Sequence, residues 1–340
     1  MRPFALCAVA LGAALVTASV ARPAAAVAPV GWGTRAERGF DSTFIQINDR
    51  ELAWEAPEWT RALGTLRTAG VRLVVLQFSG AGGRSYDAMR RGEVGSVTAL
   101  LAAASAIKMP VFVGLWADAR WPSSFPDGAL PQPLDDPAAA KTLGDACGAS
   151  PAFAGWYVPE EIDDRTFGVA GAPRLRGFLA RTSAALKALV EAPVAIAPFY
   201  TGALDPRAHA RWWRDILDGA GVDVLILQDG VGVKRATPAK ARRTLDALWP
   251  VTRRHHVRLW SAIELFEQIH GPPVDEQPFA ASPAPIEQVL RSLGAERAQV
   301  ERVVAFAVLS YMDPSAGARQ AELYRRFLAW RSERRVARRR

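Results

Sequence analysis

The chain has 340 residues, 50% of them hydrophobic, and a formal net charge of +8 at pH 7. This composition excludes a wholly disordered protein, and the length suits one large α/β domain or two ordinary ones. The excess positive charge lies at the two ends, in Arg2, Arg22 and a last segment, 331–340, with six arginines and one glutamate. The rest of the chain is close to neutral, so charge gives no reason to expect a nucleic-acid-binding protein.

Residues 1–28 are predicted to be a secretory signal peptide. A short basic start precedes a nearly continuous apolar run, and small-residue A-x-A sites follow at 24–28. An uncleaved anchor is the alternative, but the run is short for a membrane span of roughly 20 residues. We therefore expect a secreted or periplasmic protein with no membrane span after cleavage. Cys147 is then the only cysteine, which excludes an intramolecular disulfide.

Strand-like apolar runs alternate with amphipathic helical stretches between residues 36 and 330. The predicted strands are 39–47, 73–78, 111–115, 153–158, 193–197, 222–228, 257–263 and 303–310. The predicted helices are 57–69, 97–107, 136–147, 173–190, 209–220, 238–255, 286–298 and 317–330. Strands that alternate with helices indicate a parallel sheet with crossover helices, and this count predicts an α/β fold with a single (β/α)8 TIM barrel.

An open, doubly wound parallel sheet is the alternative fold. The absence of a Gly-rich dinucleotide motif or a Walker motif from the sequence weighs against it. A long proline-rich loop is predicted at 270–285, and 331–340 is predicted to be a basic C-terminal tail in contact with solvent.

Two of the predicted strands run into carboxylates. Strand four is followed by Glu160 and Glu161, and strand seven by Glu264. Strands four and seven lie across a barrel from each other, and glycoside hydrolysis needs two carboxyl groups on opposite sides of the scissile bond. We therefore predict Glu161 and Glu264 as the catalytic pair, with Glu160 as the alternative to Glu161. Structural ion pairs at the barrel rim are the alternative for all three, because buried carboxylates need partners.

Amide, aromatic and acidic side chains occupy the other predicted strand ends. Sugars bind through flat apolar faces and through planar hydrogen-bonding groups, so these side chains are predicted to bind a carbohydrate. The predicted binding residues are Gln46, Gln77, Trp116, Tyr200, Gln228, Asp229, Trp260 and Tyr311. For Trp260, a place in the core is the alternative.

The sequence contains no motif for a metal, a cofactor or another nucleophile. The histidines His209, His255, His256 and His270 form neither H-x-H nor H-E-x-x-H, and no G-x-S-x-G elbow is present. We expect neither a metal nor a cofactor.

Several short motifs resemble those of DUF4434, a family of exported bacterial proteins similar to TIM-barrel glycoside hydrolases of the two-glutamate clan. The motifs are Thr43–Gln46, Trp59, Gln77, Gly155–Tyr157, Glu161–Asp163, Pro198–Tyr200, Gln228–Gly232, Trp260, Glu264 and Phe266. The resemblance implies acid/base duty for Glu161 and nucleophile duty for Glu264. The larger clan usually has Asn-Glu where this chain has Pro-Glu-Glu, and this departure leaves the choice between Glu160 and Glu161 open.

Two functions are consistent with this sequence. The first is a glycoside hydrolase that acts on a polysaccharide or a cell-envelope glycan by a two-glutamate mechanism, with retention favoured over inversion. The second is a non-catalytic carbohydrate-binding TIM barrel, since fold alone does not decide function. In both cases the expected partner is a carbohydrate and not a nucleic acid, and the expected state is a monomer.

Overall fold

Eight parallel strands form a closed barrel in the computed structural model, which describes residues 39–89, 95–298 and 300–336, with side chains to residue 333. The strands are β1 (Ser42–Ile45), β2 (Leu73–Leu76), β3 (Val111–Gly114), β4 (Phe153–Val158), β5 (Val194–Ile196), β6 (Val224–Gln228), β7 (Arg258–Glu264) and β8 (Arg302–Phe306). Each strand pairs with its sequence neighbour, and β1 pairs with β8 to close the ring. The predicted (β/α)8 barrel is confirmed, and the open-sheet alternative is wrong.

A long helix follows each strand and packs on the outside of the barrel. These helices are α1 (Ala56–Ala69), α2 (Ser96–Ala106), α3 (Pro137–Gly148), α4 (Ala172–Leu189), α5 (Pro206–Leu217), α6 (Pro238–Arg254), α7 (Ile286–Glu296) and α8 (Ala318–Val336). Local sequence fixes their ends, because Asp136 and Asp205 accept hydrogen bonds from backbone N–H groups in the first turns of α3 and α5. Gly70 ends α1 with a φ of 101°, a left-handed conformation that favours glycine.

Short elements interrupt the loops between these strands and helices. They are the helices Asp49–Leu52, Tyr86–Met89 and Val308–Tyr311, the 3-10 turn Val169–Gly171, the paired strands Gly80–Ala81, Arg84–Ser85 and Trp116–Ala117, and the hairpin strands Phe266–His270 and Ala280–Pro283. Several of their residues line the pockets described below.

The hydrophobic core has two layers. The inner layer fills the barrel and includes Phe44, Phe112 and Trp260, while the outer layer lies between the strands and the helices. At the N-terminal end of the barrel, Arg302 forms a buried ion pair with Asp41 at 3.2 Å, and its guanidinium lies 5.6 Å from the Trp260 ring centre. The interior of the barrel is therefore filled at this end, as is typical of the fold.

Three predicted elements differ from the structure. Strand β8 ends at Phe306 and not at 310, because the chain turns into the short helix Val308–Tyr311, whose first N–H is bonded to the Thr43 hydroxyl at 3.1 Å. The predicted loop 270–285 contains a hairpin strand. Helix α8 continues past the predicted start of the tail to Val336, and Arg331 donates to the Thr68 carbonyl at 3.0 Å.

The predicted signal peptide, residues 1–28, lies outside the described residues. Within the described ranges, no helix combines the length and the apolar character that crossing a membrane requires.

Candidate active site

A pocket of about 440 Å³ opens at the C-terminal end of the barrel, and we call it the mouth pocket. The predicted site residues that line it are Gln46, Gln77, Glu161, Gln228, Glu264 and Tyr311. They lie on or after six different strands of the ring, so the barrel brings residues that are distant in sequence together in one site. Glu161 follows β4 and Glu264 ends β7, three strands further round the ring, so the two carboxyl groups enter the pocket from separate strands.

Glu264 is buried and is held by the backbone of the loop after β6. Its side chain is 6% exposed, and its Oε2 accepts a hydrogen bond from the Val233 N–H at 2.9 Å. Burial raises the pKa of Glu264 well above its usual range, and the charges of Asp229 and Glu161 add to that rise. The N–H groups of Val233 and Gly232 act in the opposite direction, because they stabilise the carboxylate.

Gly232 allows this loop to approach Glu264. A Cβ at position 232 would lie 2.4 Å from the Phe266 carbonyl oxygen and 2.9 Å from Glu264 Oε2. These distances are far below van der Waals contact, so a larger residue would displace the loop. The hydrogen bonds to Glu264 therefore depend on a glycine at this position.

Glu161 reaches the open part of the pocket. Its side chain is exposed, while its backbone carbonyl accepts a hydrogen bond from Trp121 Nε1 at 2.8 Å. The surrounding protein wall raises the pKa of Glu161, Asp163 raises it further, and a hydrogen bond from Gln228 opposes the rise. Water in the pocket screens this carboxyl, so its pKa rises less than that of the enclosed Glu264.

Glu160 does not line the mouth pocket. It is 6% exposed and lines a second pocket together with Asp118 and Trp121. Burial raises the pKa of Glu160 to about 8, and the charge of Asp118 adds to the rise. Of the two adjacent glutamates, Glu161 is therefore the one that shares a pocket with Glu264.

A pair of buried carboxyls lies behind Glu264, and the sequence did not reveal it. Asp229 follows β6, and its Oδ1 accepts a hydrogen bond from the Val231 N–H at 3.1 Å. Glu296, at the end of α7, hydrogen-bonds Asp229 and also accepts a hydrogen bond from the Ser261 hydroxyl. Burial raises the pKa of Asp229 to about 6 and that of Glu296 well above its usual range, so the pair keeps a proton to a higher pH than ordinary carboxyl groups do.

Four predicted binding residues lie away from the mouth pocket. Trp260 is fully buried in the inner core against Phe112, because it lies four residues before Glu264 on the same strand. Tyr200 is fully buried and donates its hydroxyl to the Leu204 carbonyl at 3.0 Å. Trp116 is buried in the small sheet beside β3, and Asp229 makes the contacts just described.

Aromatic residues that were not predicted to bind a carbohydrate form much of the wall of the mouth pocket. They are Phe199, Phe266, Phe279 and Phe306. Among the described residues, no group of three or more His, Cys, Asp or Glu side chains has an arrangement that could hold a metal ion. The mouth pocket offers two carboxyl groups, four amides, the Arg235 guanidinium and several aromatic rings.

A family model described as "Domain of unknown function (DUF4434)" matches residues 40–318. No curated protein sequence matches the chain.

Solved structures with a similar fold are described as glycosidases. One is "a putative alpha-L-fucosidase" from Bacteroides thetaiotaomicron VPI-5482, with 18% identity and a TM-score of 0.68, covering 95% of this chain and 97% of that one. The beta-galactosidase of Marinomonas ef1 has 11% identity and a TM-score of 0.54 over 87% and 59% of the two chains. The endo-beta-1,4-mannanase of Thermotoga petrophila has 11% identity and a TM-score of 0.51 over 86% and 77%. At these identities the similarity establishes a glycoside-hydrolase-like fold.

Proposed function

The chain belongs to the DUF4434 family, and from this premise we propose that it hydrolyses O-glycosidic bonds of a glycan by a two-glutamate, retaining mechanism. The observation that carries the proposal is that Glu161 and Glu264 reach one pocket from two separate strands, β4 and β7, of a glycoside-hydrolase-like barrel. The amides and aromatic rings around the two carboxyls are the groups that bind sugar hydroxyls and sugar faces.

Glu161 is assigned the role of general acid and base, and Glu264 that of nucleophile. Glu161 gives its proton to the glycosidic oxygen while Glu264 attacks the anomeric carbon, so the bond to the leaving group breaks and a glycosyl ester forms. Glu161 then removes a proton from water, which attacks the same carbon. The ester bond breaks, and Glu264 returns to its carboxylate form.

The proton must reside on Glu161 and not on Glu264 when the reaction starts. In the open pocket, burial favours the neutral form of Glu264 more strongly than that of Glu161. A sugar bound over Glu161 removes the water that now screens it and raises its pKa, whereas Glu264 is already enclosed. The N–H groups of Val233 and Gly232 favour the anion of Glu264 throughout. Substrate binding therefore favours the protonated form of Glu161 and the anion of Glu264.

The proposed substrate is a polysaccharide or a cell-envelope glycan, and the site of action is outside the cytoplasm. The second part rests on the predicted signal peptide, residues 1–28. Intact-mass analysis of the exported protein tests the signal peptide. An exported chain that still begins at Met1 would contradict its cleavage.

A carbohydrate-binding barrel without turnover is the second candidate. The deep burial of Glu264 beside Asp229 favours it, since a nucleophile that stays protonated would bind sugar but not attack it. The two candidates differ in one observable, which is the appearance of new reducing ends.

A hydrolysis screen distinguishes the two candidates. The wild type, Glu161→Gln and Glu264→Gln are incubated with a panel of glycans and aryl glycosides, and reducing sugar is measured. We expect turnover by the wild type, and none by Glu264→Gln despite retained binding. Glu161→Gln should lose about 10²–10⁴-fold on poor leaving groups, because it cannot protonate the glycosidic oxygen. On aryl glycosides with good leaving groups, added azide should partly restore release of the aryl group, because azide attacks the glycosyl ester without a general base.

The control for the screen is Glu301→Gln, which alters an exposed glutamate paired with Arg258 at the opposite end of the barrel. It should keep the wild-type rate. Full activity of both active-site variants on every responsive glycan would refute the assigned pair, and binding without any wild-type turnover would leave the second candidate.

A further inference from the structure

A second pocket, which we call the side pocket, adjoins the mouth pocket at Glu161. Its volume is about 480 Å³, and Glu161 lines both pockets. The loop after β3 contributes Asp118 and Trp121 to it, and the loop after β4 contributes Glu160 and Asp163. A chain of sugars that passes Glu161 on its way out of the mouth pocket would enter the side pocket.

Glu160 is the polar group in this pocket that the protein does not satisfy. The residue is 6% exposed, its two carboxyl oxygens are closed off from solvent, and neither oxygen has a hydrogen-bond partner in another residue. Buried polar groups in proteins almost always have partners, so an unpartnered carboxyl that lines a pocket indicates a ligand that supplies them. A carboxyl in this environment is in its neutral form and can donate one hydrogen bond as well as accept others.

Two other acidic residues of the side pocket already have partners. Asp118 pairs with Arg120 at 2.5 Å, and Arg120 also binds Asp135 at 2.8 Å. Asp163 Oδ1 accepts hydrogen bonds from the backbone N–H groups of Arg165 and Thr166, at 2.8 and 2.7 Å. These groups shape the pocket, whereas the Glu160 carboxyl has no partner in another residue.

Part of the side pocket wall is apolar, and its described lining residues carry no positive charge. Phe78, Ala117 and Trp121 line it, and the Trp121 ring is fixed by Phe178 at a centroid distance of 4.8 Å. None of the described residues that line the pocket is Lys, Arg or His. An anionic ligand would therefore meet carboxyl groups, and the nearby Arg120 is already paired with Asp118 and Asp135. A neutral ring could pack on the aromatic wall.

We propose that the side pocket binds the saccharide unit on the leaving-group side of the scissile bond, and that this unit is an uncharged sugar. The assignment rests on the proposed function, because the role of Glu161 defines which side the leaving group occupies. On binding, the enclosed Glu160 side chain turns toward the pocket, donates one hydrogen bond to a hydroxyl of this sugar and accepts one from another. Uronic acids and sulfated sugars are excluded by the charge of the pocket.

Binding measurements on Glu160 variants test this site. Each variant is made in a Glu264→Gln background, and calorimetry gives its Kd for cellotriose, mannotriose, xylotriose, laminaritriose and trigalacturonate. For the uncharged trisaccharide that binds best, Glu160→Ala should weaken binding at least tenfold. Glu160→Gln should stay within threefold, because an amide keeps both a donor and an acceptor. Trigalacturonate should bind at least tenfold more weakly.

Glu301→Gln in the same background is the matched control and should not change the Kd. If Glu160→Ala does not fold, Glu160→Leu, which is closer in volume, replaces it. The proposal is overturned if no uncharged trisaccharide binds, if removal of the Glu160 carboxyl leaves the Kd unchanged, if Gln weakens binding as much as Ala, or if trigalacturonate is preferred.

Failure of the side pocket and failure of the proposed function give different results. If the wild type hydrolyses a glycan but the Kd does not change in the Glu160 variants, only the proposal for the side pocket is contradicted. Binding that depends on Glu160, in a protein that hydrolyses nothing, would contradict the proposed function alone.

Discussion

At the residue scale, Gly232 determines the surroundings of Glu264. Its Cα lies so close to the neighbouring chain that an added Cβ would be 2.8 Å from Glu264 Cβ and 2.4 Å from the Phe266 carbonyl oxygen. We expect Gly232→Ala to displace the loop that donates to Glu264. Turnover should fall at least tenfold, and the free energy of unfolding should drop by about 1–3 kcal/mol, measured by urea denaturation.

The matched control is Gly294→Ala in α7, where no atom lies within 4 Å of an added Cβ. This change should leave turnover intact and stabilise the protein by about 0.5–1 kcal/mol, because glycine weakens a helix interior. Equal effects of the two substitutions would show that the contact with Glu264 is unimportant.

Glu160 makes a separate prediction about stability. Its pKa is about 8 in the folded protein, against about 4.3 in an unfolded chain. Because the folded state retains a proton that the unfolded state releases, this stabilisation is complete below about pH 4 and is lost as the pH rises to about 8. Glu160→Gln should therefore flatten the decline in unfolding free energy between about pH 5 and 8, by up to about 1.4 kcal/mol per pH unit.

Urea denaturation of the wild type and of Glu160→Gln at several pH values measures this difference directly. Glu264, Asp229 and Glu296 have raised pKa values in both proteins, so their contribution cancels in the comparison. Parallel pH profiles for the two proteins would mean that Glu160 is ionised in the folded state.

Single residues also show where sequence analysis stops. Glu161 and Glu264 could be found from the sequence because each comes at the end of an apolar run. In a barrel, such runs are strands, and their C-terminal ends lie at the mouth. Tyr200 was predicted and Phe199 was not, although they are neighbours. Phe199 makes isolated bridges to Asp163 and Gln228 beyond the end of β5, and this irregular pairing decides which of the two rings faces the pocket. Apolar periodicity contains no information about such a bridge.

At the scale of elements, the hairpin after β7 forms part of the rim of the mouth pocket. Phe279 is 57% exposed and its ring lies edge-on to Phe266, with centroids 6.0 Å apart. The turn before it is held by Asp275, which bonds the His270 ring and the Gly271 N–H, each at 2.8 Å. An exposed aromatic ring on a fixed hairpin is suited to stack on a sugar.

We expect Phe279→Ala to weaken binding of the best uncharged trisaccharide about 3–10-fold, the loss of one stacking contact. The melting temperature should hardly change, because the ring is exposed. Val169→Ala, which alters an exposed residue outside both pockets, is the control for calorimetry in the Glu264→Gln background. An unchanged Kd for Phe279→Ala would remove the hairpin from the binding site.

Helix α7 illustrates why part of the site could not be predicted. Glu296 lies at the end of an amphipathic helix, where a charged residue is ordinarily exposed to solvent. Only the packing of α7 against β7 brings it beside Asp229 and Ser261. The proline-rich loop was likewise predicted without its strand, because Ala280–Pro283 lacks the apolar pattern of a strand and forms one by pairing with Phe266–His270.

At the scale of the whole molecule, the fold was almost entirely predictable. Apolar runs of strand length, helices that begin near proline and end near glycine, and the count of both lead to the barrel. The barrel in turn brings Gln46, Gln77, Glu161, Gln228 and Glu264 together from positions spread across most of the chain. The depth of a side chain within the barrel was harder to predict. Trp260 was predicted to lie at the mouth, although β7 continues for four residues beyond it.

The most direct test of the account is to identify the residue that becomes covalently bound to the sugar. The wild type is incubated with the 2-deoxy-2-fluoro glycosyl fluoride of the sugar that the screen releases, and the digested protein is analysed by mass spectrometry. We predict a single added glycosyl group on Glu264, and none in Glu264→Gln. A label on Glu160, Glu161 or any other residue, or turnover without any label, would contradict the two-glutamate retaining site.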